Sequence, residues 1–347
     1  MTTALITFKN KNSLYKPTMK KDLSYNWYDN PDEVMIKLDK KGIKILYNKF
    51  LLKFKTKINF HNKTGLDKDI FYQLNKKGVT RVKTLKKLLQ IFNMNYNDYN
   101  KRIISTLGNK KELKLKFPIK LSRKEIAVLV AAFMSDGNNQ KEHPFYSNIG
   151  FLGNKIIKAT RQIVPNISYE FRNVKVRFHP ILGRILNKAG VPYGNKTILN
   201  PNIPNYIKIN KNLSKLYLTQ AFDDEGHAAT KISRKIVLGR SVAVKDLPNL
   251  FIRNMPWKEK IYFNNLPDYI KKIVIKNPPR LLVDEYKLLK KFKINSSMRC
   301  RSLTKYEETN SADWVIEIFG KENIRSFNNF IGFSQPEKIE RMNQYLT

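Results

Sequence analysis

The chain has 347 residues, enough for two or three modest domains, and 41% of them are hydrophobic, so it can bury a real core. It carries 66 Lys and Arg against 28 Asp and Glu, a formal net charge of +38, with the basic residues spread along the whole chain. This surplus favours a long surface for a polyanion, so nucleic acid is the expected partner. A Lys- and Asn-rich proteome bias would raise the charge but would not by itself lower the number of acids this far.

The small number of cysteines and histidines and the lack of a long apolar run exclude several classes of protein. Cys300 is the single cysteine, which excludes an internal disulfide and a cysteine-based zinc cluster, and the four histidines lie far apart in the sequence. No apolar run is long enough to cross a bilayer, and the first residues lack a secretory apolar core. We therefore expect a protein with no membrane partner, located inside the cell in the cytoplasm or nucleoid.

Residues 1–40 are polar and aromatic with a weak pattern, and we interpret them as an N-terminal arm. Helical spacing then predicts an all-α domain over residues 41–105, with helices that stop at Gly65 and Gly78. Short helices, a glycine turn and a polar helix resemble the helix-turn-helix of the Cro/repressor type, in which the helix after the turn enters the major groove. The predicted DNA contacts are Lys68, Tyr72, Gln73 and Lys76. A four-helix bundle with a solvated basic face is the alternative.

Residues 106–121 are charged and lack periodicity, which predicts a linker. Nine apolar residues then run from Ile126 to Met134 and predict a helix that is buried on all sides. It ends in Ser-Asp-Gly, where Gly137 suits the left-handed position just past a helix end.

A second helix of the same design occupies residues 213–226 and ends in Glu225-Gly226, 89 residues after Asp136-Gly137. If the two helices pack side by side, their carboxylates and the negative ends of their dipoles would together hold divalent cations. Such ions activate water and stabilise the leaving oxygen in phosphodiester hydrolysis.

Another internal repeat supports duplication. Residues 174–196 align without a gap to residues 316–338, an offset of 142, and each copy predicts a strand, a helix, a glycine stop and a closing lysine. The glycines are Gly190 and Gly332, and the lysines are Lys196 and Lys338. Because the offset of 142 exceeds that of 89, we expect an insertion in the second half, within about 236–281.

The segments LVAAFMSDG (129–137) and LTQAFDDEG (218–226) resemble the two signature helices of the LAGLIDADG homing endonuclease family, in its intein-like branch. The resemblance covers about 122–347. It implies an α+β fold of two pseudo-twofold αββαββα repeats, about 122–210 and 211–347, with saddle-shaped antiparallel sheets over the DNA. It also implies a monomer with internal pseudo-twofold symmetry that binds double-stranded DNA and uses Mg²⁺, with Mn²⁺ as an alternative.

The family's functional positions carry over residue by residue. The acid before the final glycine of each signature is the catalytic metal ligand, which implies Asp136 and Glu225, with Gly137 and Gly226 completing the metal site. A lysine near the scissile phosphate implies Lys196, with Lys338 as its repeat partner. Where the family has a glycine that lets the two helices touch, this chain has Ala131 and Gln220.

Basic residues alternate with apolar ones or flank apolar runs in several predicted strands, which predicts sheets with one basic face. A solvated sheet face is the alternative for each stripe, but their recurrence in both halves favours contact with DNA. These candidate contacts are Arg172, Lys175, Arg177, Arg234, Lys235, Arg240, Arg299 and Arg301.

The favoured function is a site-specific endonuclease of the homing type that makes a staggered break in double-stranded DNA. The alternatives are a non-cleaving DNA-binding transcriptional regulator on the same scaffold and an RNA-splicing maturase. The sequence begins Met-Thr-Thr and ends Gln-Tyr-Leu-Thr, without the terminal groups that protein splicing needs, so we expect a freestanding protein rather than an intein.

Overall fold

The computed structural model describes residues 23–107, 112–255, 257–305 and 309–347. These divide into two compact units. The N-terminal unit contains the described residues among 23–123 together with 158–168, and the C-terminal unit contains those among 124–157 and 169–347. The fold is mixed α+β, and its sheets are small and antiparallel.

The described residues of the N-terminal unit up to residue 123 form four α-helices and two sheets. Its elements in chain order are β1 (Ser24–Tyr25), β2 (Met35–Leu38), α1 (Lys40–Phe54), α2 (Lys57–Thr64), α3 (Ile70–Lys77), β3 (Val79–Arg81), α4 (Val82–Ile91), β4 (Ile103–Leu107), β5 (Glu112–Leu113) and β6 (Ile119–Lys120). One sheet has the strand order β3-β2-β4-β5, and the other pairs β1 with β6.

Because of these sheets, the prediction of an all-α domain over 41–105 is wrong. The predicted arm and linker are also wrong where the structure describes them. Trp27 is fully buried in the supposed arm, and residues 35–38 form the strand between β3 and β4. Leu113, Phe117 and Ile119 are buried in the supposed linker. Charge and weak periodicity marked these segments as loops, but pairing with strands distant in sequence orders them.

Aromatic rings form the core around α1, α2 and α3. The ring of Phe50 lies 4.5 Å from that of Phe71 and 5.6 Å from that of Phe60, which joins one residue from each helix. Gly65 and Gly78 follow α2 and α3 with φ of 65° and 69°, the left-handed conformation that favours glycine at helix ends. The glycine stops predicted for these helices are therefore present.

The C-terminal unit contains two successive series of helices and strands. The first half is α5 (Lys124–Met134), β7 (Gly137–Asn138), β8 (Phe145–Tyr146), α6 (Phe151–Ile163), β9 (Tyr169–Arg172), β10 (Lys175–Phe178), α7 (Pro180–Lys188), α8 (Lys196–Leu199) and α9 (Asn205–Ile209). The second half is α10 (Lys211–Glu225), β11 (Gly226–His227), β12 (Lys235–Ala243), α11 (Asn249–Asn254), β13 (Lys260–Tyr262), α12 (Asp268–Lys276), α13 (Arg280–Lys291), β14 (Ser297–Lys305), β15 (Asn310–Phe319), α14 (Lys321–Phe330) and α15 (Pro336–Leu346).

The two halves share one strand order. The first sheet runs β7-β8-β10-β9 and the second runs β11-β12-β15-β14, with β13 added at its edge. Each copy of the aligned segment holds the predicted strand and helix, and both predicted glycine stops have positive φ, 104° at Gly190 and 69° at Gly332. The helices α5 and α10, which precede the two sheets, pack against each other.

The extra elements of the second half lie within the range of about 236–281 expected for the insertion, but they do not fill it. Most of strand β12 also falls in that range, yet it pairs along its whole length with β15 in the middle of the second sheet. The extra elements without a counterpart in the first half are α11, β13 and α12. The second sheet also has longer strands than the first, which shifts the alignment offset without adding an element.

The predicted boundary at residue 122 holds only in part. Residues 158–168, which include the end of α6, belong to the N-terminal unit, although the sequence placed them in the first repeat. Asn166 explains this assignment, because its amide nitrogen donates to the Glu112 carbonyl at 2.7 Å and its Oδ1 accepts from the Lys114 backbone at 3.0 Å. Within the part of the chain that the structure describes, no helix combines the length and the apolar character needed to cross a membrane.

Candidate functional site

Asp136 follows α5 and Glu225 is the last residue of α10, so the two packed helices each place one acid at their C-terminal end. The positions after these acids have no room for a side chain, because the chain there passes close to the backbone of the preceding helix. A Cβ on Gly137 would lie 2.8 Å from Phe133 Cα, and one on Gly226 would lie 2.5 Å from the Phe222 carbonyl oxygen. The predicted left-handed conformation of Gly137 is wrong, because its φ is not positive.

The two acids influence each other electrostatically. Burial and the nearby Glu225 carboxylate raise the pKa of Asp136 to about 6, while Lys196, Arg240 and Lys338 act in the opposite direction. The Glu225 side chain is 38% exposed, so it stays open to solvent on one side. The structure therefore brings the two predicted metal ligands into one mixed-charge site.

The two predicted lysines also meet the helix ends. Lys196 Nζ donates to the carbonyl oxygens of Ser135 and Gly137, the latter at 2.5 Å, and Lys338 Nζ donates to those of Phe222 and Asp223 at 3.0 and 2.5 Å. Helix C-terminal carbonyls carry partial negative charge, so both ammonium groups are well placed. Burial lowers the pKa of Lys196 to about 8 and also lowers that of Lys338.

The predicted glycine ligands are less open than the two acids. Gly137 offers its carbonyl oxygen to Lys196, and Gly226 pairs with Leu238 in the strand ladder. The two carboxylates are thus the groups best placed to hold a cation.

Arg240 was predicted as a DNA contact, and that prediction is wrong because its side chain is only 6% exposed. Its guanidinium forms a double contact with the buried Glu285, with Nη2–Oε1 at 2.7 Å and Nε–Oε2 at 3.2 Å. It also reaches Glu225 Oε1 at 3.4 Å and donates to Ser135 Oγ at 3.0 Å. In β12, Arg240 lies in register with the buried Ile236 and Leu238, whereas the sequence analysis expected it to face DNA.

Asp224 is a third carboxylate at the site that the sequence analysis did not single out. Its Oδ1 accepts hydrogen bonds from the Tyr146 hydroxyl at 2.5 Å and from Gln220 Nε2 at 2.8 Å. Burial raises the pKa of Asp224 well above its ordinary value, despite those two donors. The Gln220–Asp224 contact explains why a bulky polar residue is accommodated between the helices. The signal was its i, i+4 spacing from Asp224.

Asp223 ties the end of α10 to the segment that carries Lys338. Its fully buried carboxylate accepts from Lys155 Nζ at 3.0 Å, from the Ser334 backbone at 2.8 Å and from the Gln335 backbone at 3.2 Å. The Ser334 hydroxyl donates to it as well. Since α15 starts at residue 336, this anchoring fixes where the Lys338 amine lies.

A cleft of about 460 Å³ lies beside the acids on the second sheet. Lys196, Glu225, Arg240 and Arg301 are among its lining residues. Arg301 is exposed at a bulge in β14. The cleft therefore joins the acid site to an exposed basic side chain on the sheet.

The other basic candidates of the second sheet differ in their pairing. Lys235 and Arg299 both bind Glu317, at 2.6 Å and at 2.9 and 3.0 Å, and hydrogen bonds from both lower the pKa of Glu317 to about 2 against the effect of burial. Their side chains remain 39% and 40% exposed. Arg234 is exposed, and its side chain donates to the nearby Lys231 carbonyl.

The first sheet carries a smaller basic face. Val176 and Phe178 are buried while Lys175 is exposed and Arg177 half-buried, which confirms the predicted alternation in β10. Lys175 Nζ lies 4.6 Å from the centre of the Phe145 ring, and Arg172 pairs with Glu170 at 2.9 Å. Arg172 is therefore partly neutralised, whereas Lys175 keeps its charge at the surface.

In the N-terminal unit, α2 and α3 are joined through Gly65 as expected for a helix-turn-helix. The four candidate contacts there are all exposed, and Tyr72 is 56% exposed. Lys57 and Lys76 lie 6.0 and 5.7 Å from the Tyr72 ring centre. The exposed face of α3 is thus aromatic and basic, which suits contact with a nucleic acid.

Among the described residues, no group of three or more His, Cys, Asp or Glu side chains is arranged to hold a metal ion. A divalent cation here would rest on one or both of these carboxylates, with water or a substrate as further ligands. Comparison of the chain with models of known protein families gives no match, and comparison with curated protein sequences gives none either.

Proposed function

We propose that the chain is a site-specific double-stranded DNA endonuclease of the LAGLIDADG homing type, which hydrolyses phosphodiester bonds with divalent metal ions and leaves a staggered break. One observation carries this proposal. Asp136 and Glu225 stand at the ends of two packed helices, and each helix end also binds the amine of a lysine, Lys196 or Lys338. A double-strand break needs two hydrolyses, and the two halves supply two acid and lysine sets.

The donor set fits a magnesium or manganese ion. Mg²⁺ is commonly held by one or two carboxylates and keeps several waters, so a pair of partly open acids is sufficient. Burial and the neighbouring Glu225 carboxylate raise the pKa of Asp136, although Lys196, Arg240 and Lys338 act in the opposite direction. When bound, the ion would activate water and stabilise the leaving oxygen.

The chain's own residues supply the remaining chemistry. Lys196 and Lys338 hold their ammonium groups against the helix ends, where positive charge favours the approach of a phosphate. The shared strand order of the two halves supports the finer fold, two αββαββα repeats whose sheets form a saddle on DNA. The basic sheet residues whose charge is least offset by acids are the best candidates for contacts with phosphates and bases. They are Lys175, Arg177 and Arg301.

The net charge of +38 supports double-stranded DNA as the substrate. The exposed face of α3 adds an independent DNA contact in the N-terminal unit. Contacts of this kind raise affinity mostly through phosphates and position the protein, whereas base contacts supply specificity.

The non-cleaving regulator remains a second candidate, because one observation favours it. The Arg240 guanidinium contacts Glu225, and the positive charges of Lys196 and Lys338 offset the negative charge of the two acids. A scaffold that no longer cuts could keep its carboxylates neutralised in this way. Such a protein would bind selected duplexes without breaking them.

The experiment is digestion of a randomised duplex library in Mg²⁺, followed by sequencing of the ends. We compare the wild type with Asp136→Asn and Glu225→Gln, and use Glu322→Gln, an exposed acid on α14, as the charge-matched control. Defined ends from the wild type and the control, lost in both acid variants while DNA binding persists, support the nuclease. Selective binding without any cut in Mg²⁺ or Mn²⁺ would assign the chain to the regulators instead.

A further inference from the structure

The buried pair of Arg240 and Glu285 sits directly behind one of the two acids. Glu285 is fully buried on α13 and accepts two hydrogen bonds from Arg240, from Nη2 at 2.7 Å and from Nε at 3.2 Å. The Tyr217 hydroxyl donates to Glu285 at 3.4 Å. A guanidinium held by two contacts to a buried carboxylate has a fixed orientation, so its charge cannot swing away from the site.

The remaining nitrogen of this fork faces the ends of the acid-bearing helices. Arg240 Nη1 lies 3.4 Å from Glu225 Oε1, and Nη2 donates to Ser135 Oγ next to Asp136. One arginine therefore contacts the ends of both helices, but it forms an ion pair with only one of the two acids.

Asp136 has no equivalent pair. Among the residues that the structure describes, none forms a salt bridge with its carboxylate. The first sheet also has no arginine at the position equivalent to Arg240. Gly137 pairs with Tyr146, and Gly226 pairs with Leu238, so Tyr146 and Leu238 are equivalent. Two residues further along, the first half has Asn148 and the second half has Arg240.

We infer that Arg240, held by Glu285, makes Glu225 a weaker ligand for divalent cations than Asp136, so that the two halves of the site are unequal. This inference rests on the metal-binding part of the proposed function. The guanidinium occupies one oxygen of the Glu225 carboxylate and repels an incoming cation, and both effects are strong where solvent is partly excluded. In an enzyme that cuts both strands, the hydrolysis served by Asp136 would then proceed at a lower Mg²⁺ concentration.

The test is titration of the whole protein with Mn²⁺, with free Mn²⁺ followed by electron paramagnetic resonance. The wild type should show a tighter and a weaker site, of which Asp136→Asn removes the tighter one and Glu225→Gln the weaker one. The double variant Arg240→Gln/Glu285→Gln, which removes both buried charges together, should tighten the Glu225 site by about tenfold. Thermal unfolding verifies that each variant is folded.

Two further variants sharpen the result. Arg240→Lys retains the positive charge and should leave the two affinities unequal. Lys208→Gln/Asp284→Asn removes a neighbouring ion pair of 3.0 Å on the same helix, α13, and should leave both affinities unchanged.

Equal affinities in the wild type, absence of Mn²⁺ binding, or an unchanged Glu225 site in the folded double variant would overturn the inference. Failure of the proposed function is recognised separately. A protein with unequal Mn²⁺ sites that cuts no duplex keeps the inference and loses the nuclease, whereas a cutting enzyme with equal sites does the reverse.

Discussion

The Tyr146 hydroxyl donates a hydrogen bond of 2.5 Å to Asp224 Oδ1 and thereby joins β8 of the first half to α10 of the second. Both groups lie in the interior beside the acid site, and Asp224 Oδ2 has no hydrogen-bond partner among the described residues. Among the described residues, Gln220 is the one other hydrogen-bond donor to this carboxyl group. The contact therefore bears on how the two helices are held together.

We expect Tyr146→Phe to lower the free energy of unfolding by about 1–3 kcal/mol, because a buried acceptor loses its shortest donor. Urea unfolding measures the change. Tyr286→Phe, whose hydroxyl forms no hydrogen bond with the described residues, is the control and should change stability by less than about 0.5 kcal/mol. If both variants behave alike, the Tyr146–Asp224 contact contributes nothing to stability.

A methyl group at Gly137 or Gly226 should disturb the acid site through the backbone. The added Cβ would meet the main chain of Phe133 or Phe222 at less than 3.0 Å, and backbone cannot rotate aside as a side chain can. We expect Gly137→Ala and Gly226→Ala each to lower the free energy of unfolding by about 1–3 kcal/mol, as overpacking does. Gly150→Ala, where the nearest atom is 3.8 Å away on a side chain, is the control. Urea unfolding measures the stability of the three variants. Equal stabilities in all three would contradict the prediction.

Removal of the Asp136 charge should stabilise the fold at neutral pH. Burial and Glu225 raise the pKa of Asp136 to about 6, so its ionised form is disfavoured in the folded state relative to the unfolded chain. This contribution to stability is fully present below the ordinary carboxyl pKa of 3.8 and is lost as the pH rises through the folded pKa of about 6. Asp136→Asn should therefore have the higher melting temperature at pH 7.5, and the difference from wild type should shrink towards pH 4.

The melting temperature is measured across this range by calorimetry without added metal. Asp32→Asn, an exposed acid in the N-terminal unit, serves as the control for a change of one charge. A stabilisation by Asp136→Asn that is independent of pH would show that ionisation of Asp136 is not the cause.

The lysines of the proposed helix-turn-helix should affect DNA binding and not chemistry. We expect Lys68→Ala and Lys76→Ala each to weaken duplex binding and to lower the salt dependence of log K by about one, because each removes a phosphate contact. Cleavage at saturating protein should keep its rate. Lys101→Ala, an exposed lysine of the same unit outside α2 and α3, is the control. Unchanged affinity and salt slope in both variants would remove the DNA-binding role from this module.

Local pattern was sufficient for several features. Helical spacing located α1, α4, α5 and α10, since an amphipathic or fully apolar helix needs its buried positions at set intervals. The internal repeat located the corresponding strand, helix and glycine at 142 residues' distance, because duplicated elements keep similar sequence where they keep similar packing. The same repeat pointed to Lys196 and Lys338, which the structure brings to the two helix ends.

Contacts between segments that are distant in sequence could not be predicted from local pattern. Nothing next to Arg240 in the sequence indicates that Glu285 will neutralise it 45 residues later, so its burial contradicted a rule that holds for most arginines. The partners of Asp224 and the strands within the supposed arm and linker likewise depend on pairing across the fold. The amino-acid sequence was enough to identify the acids, the lysines and the excess of positive charge. Which of these charges meet follows from the fold, because burial and ion pairing depend on segments that lie far apart in the sequence.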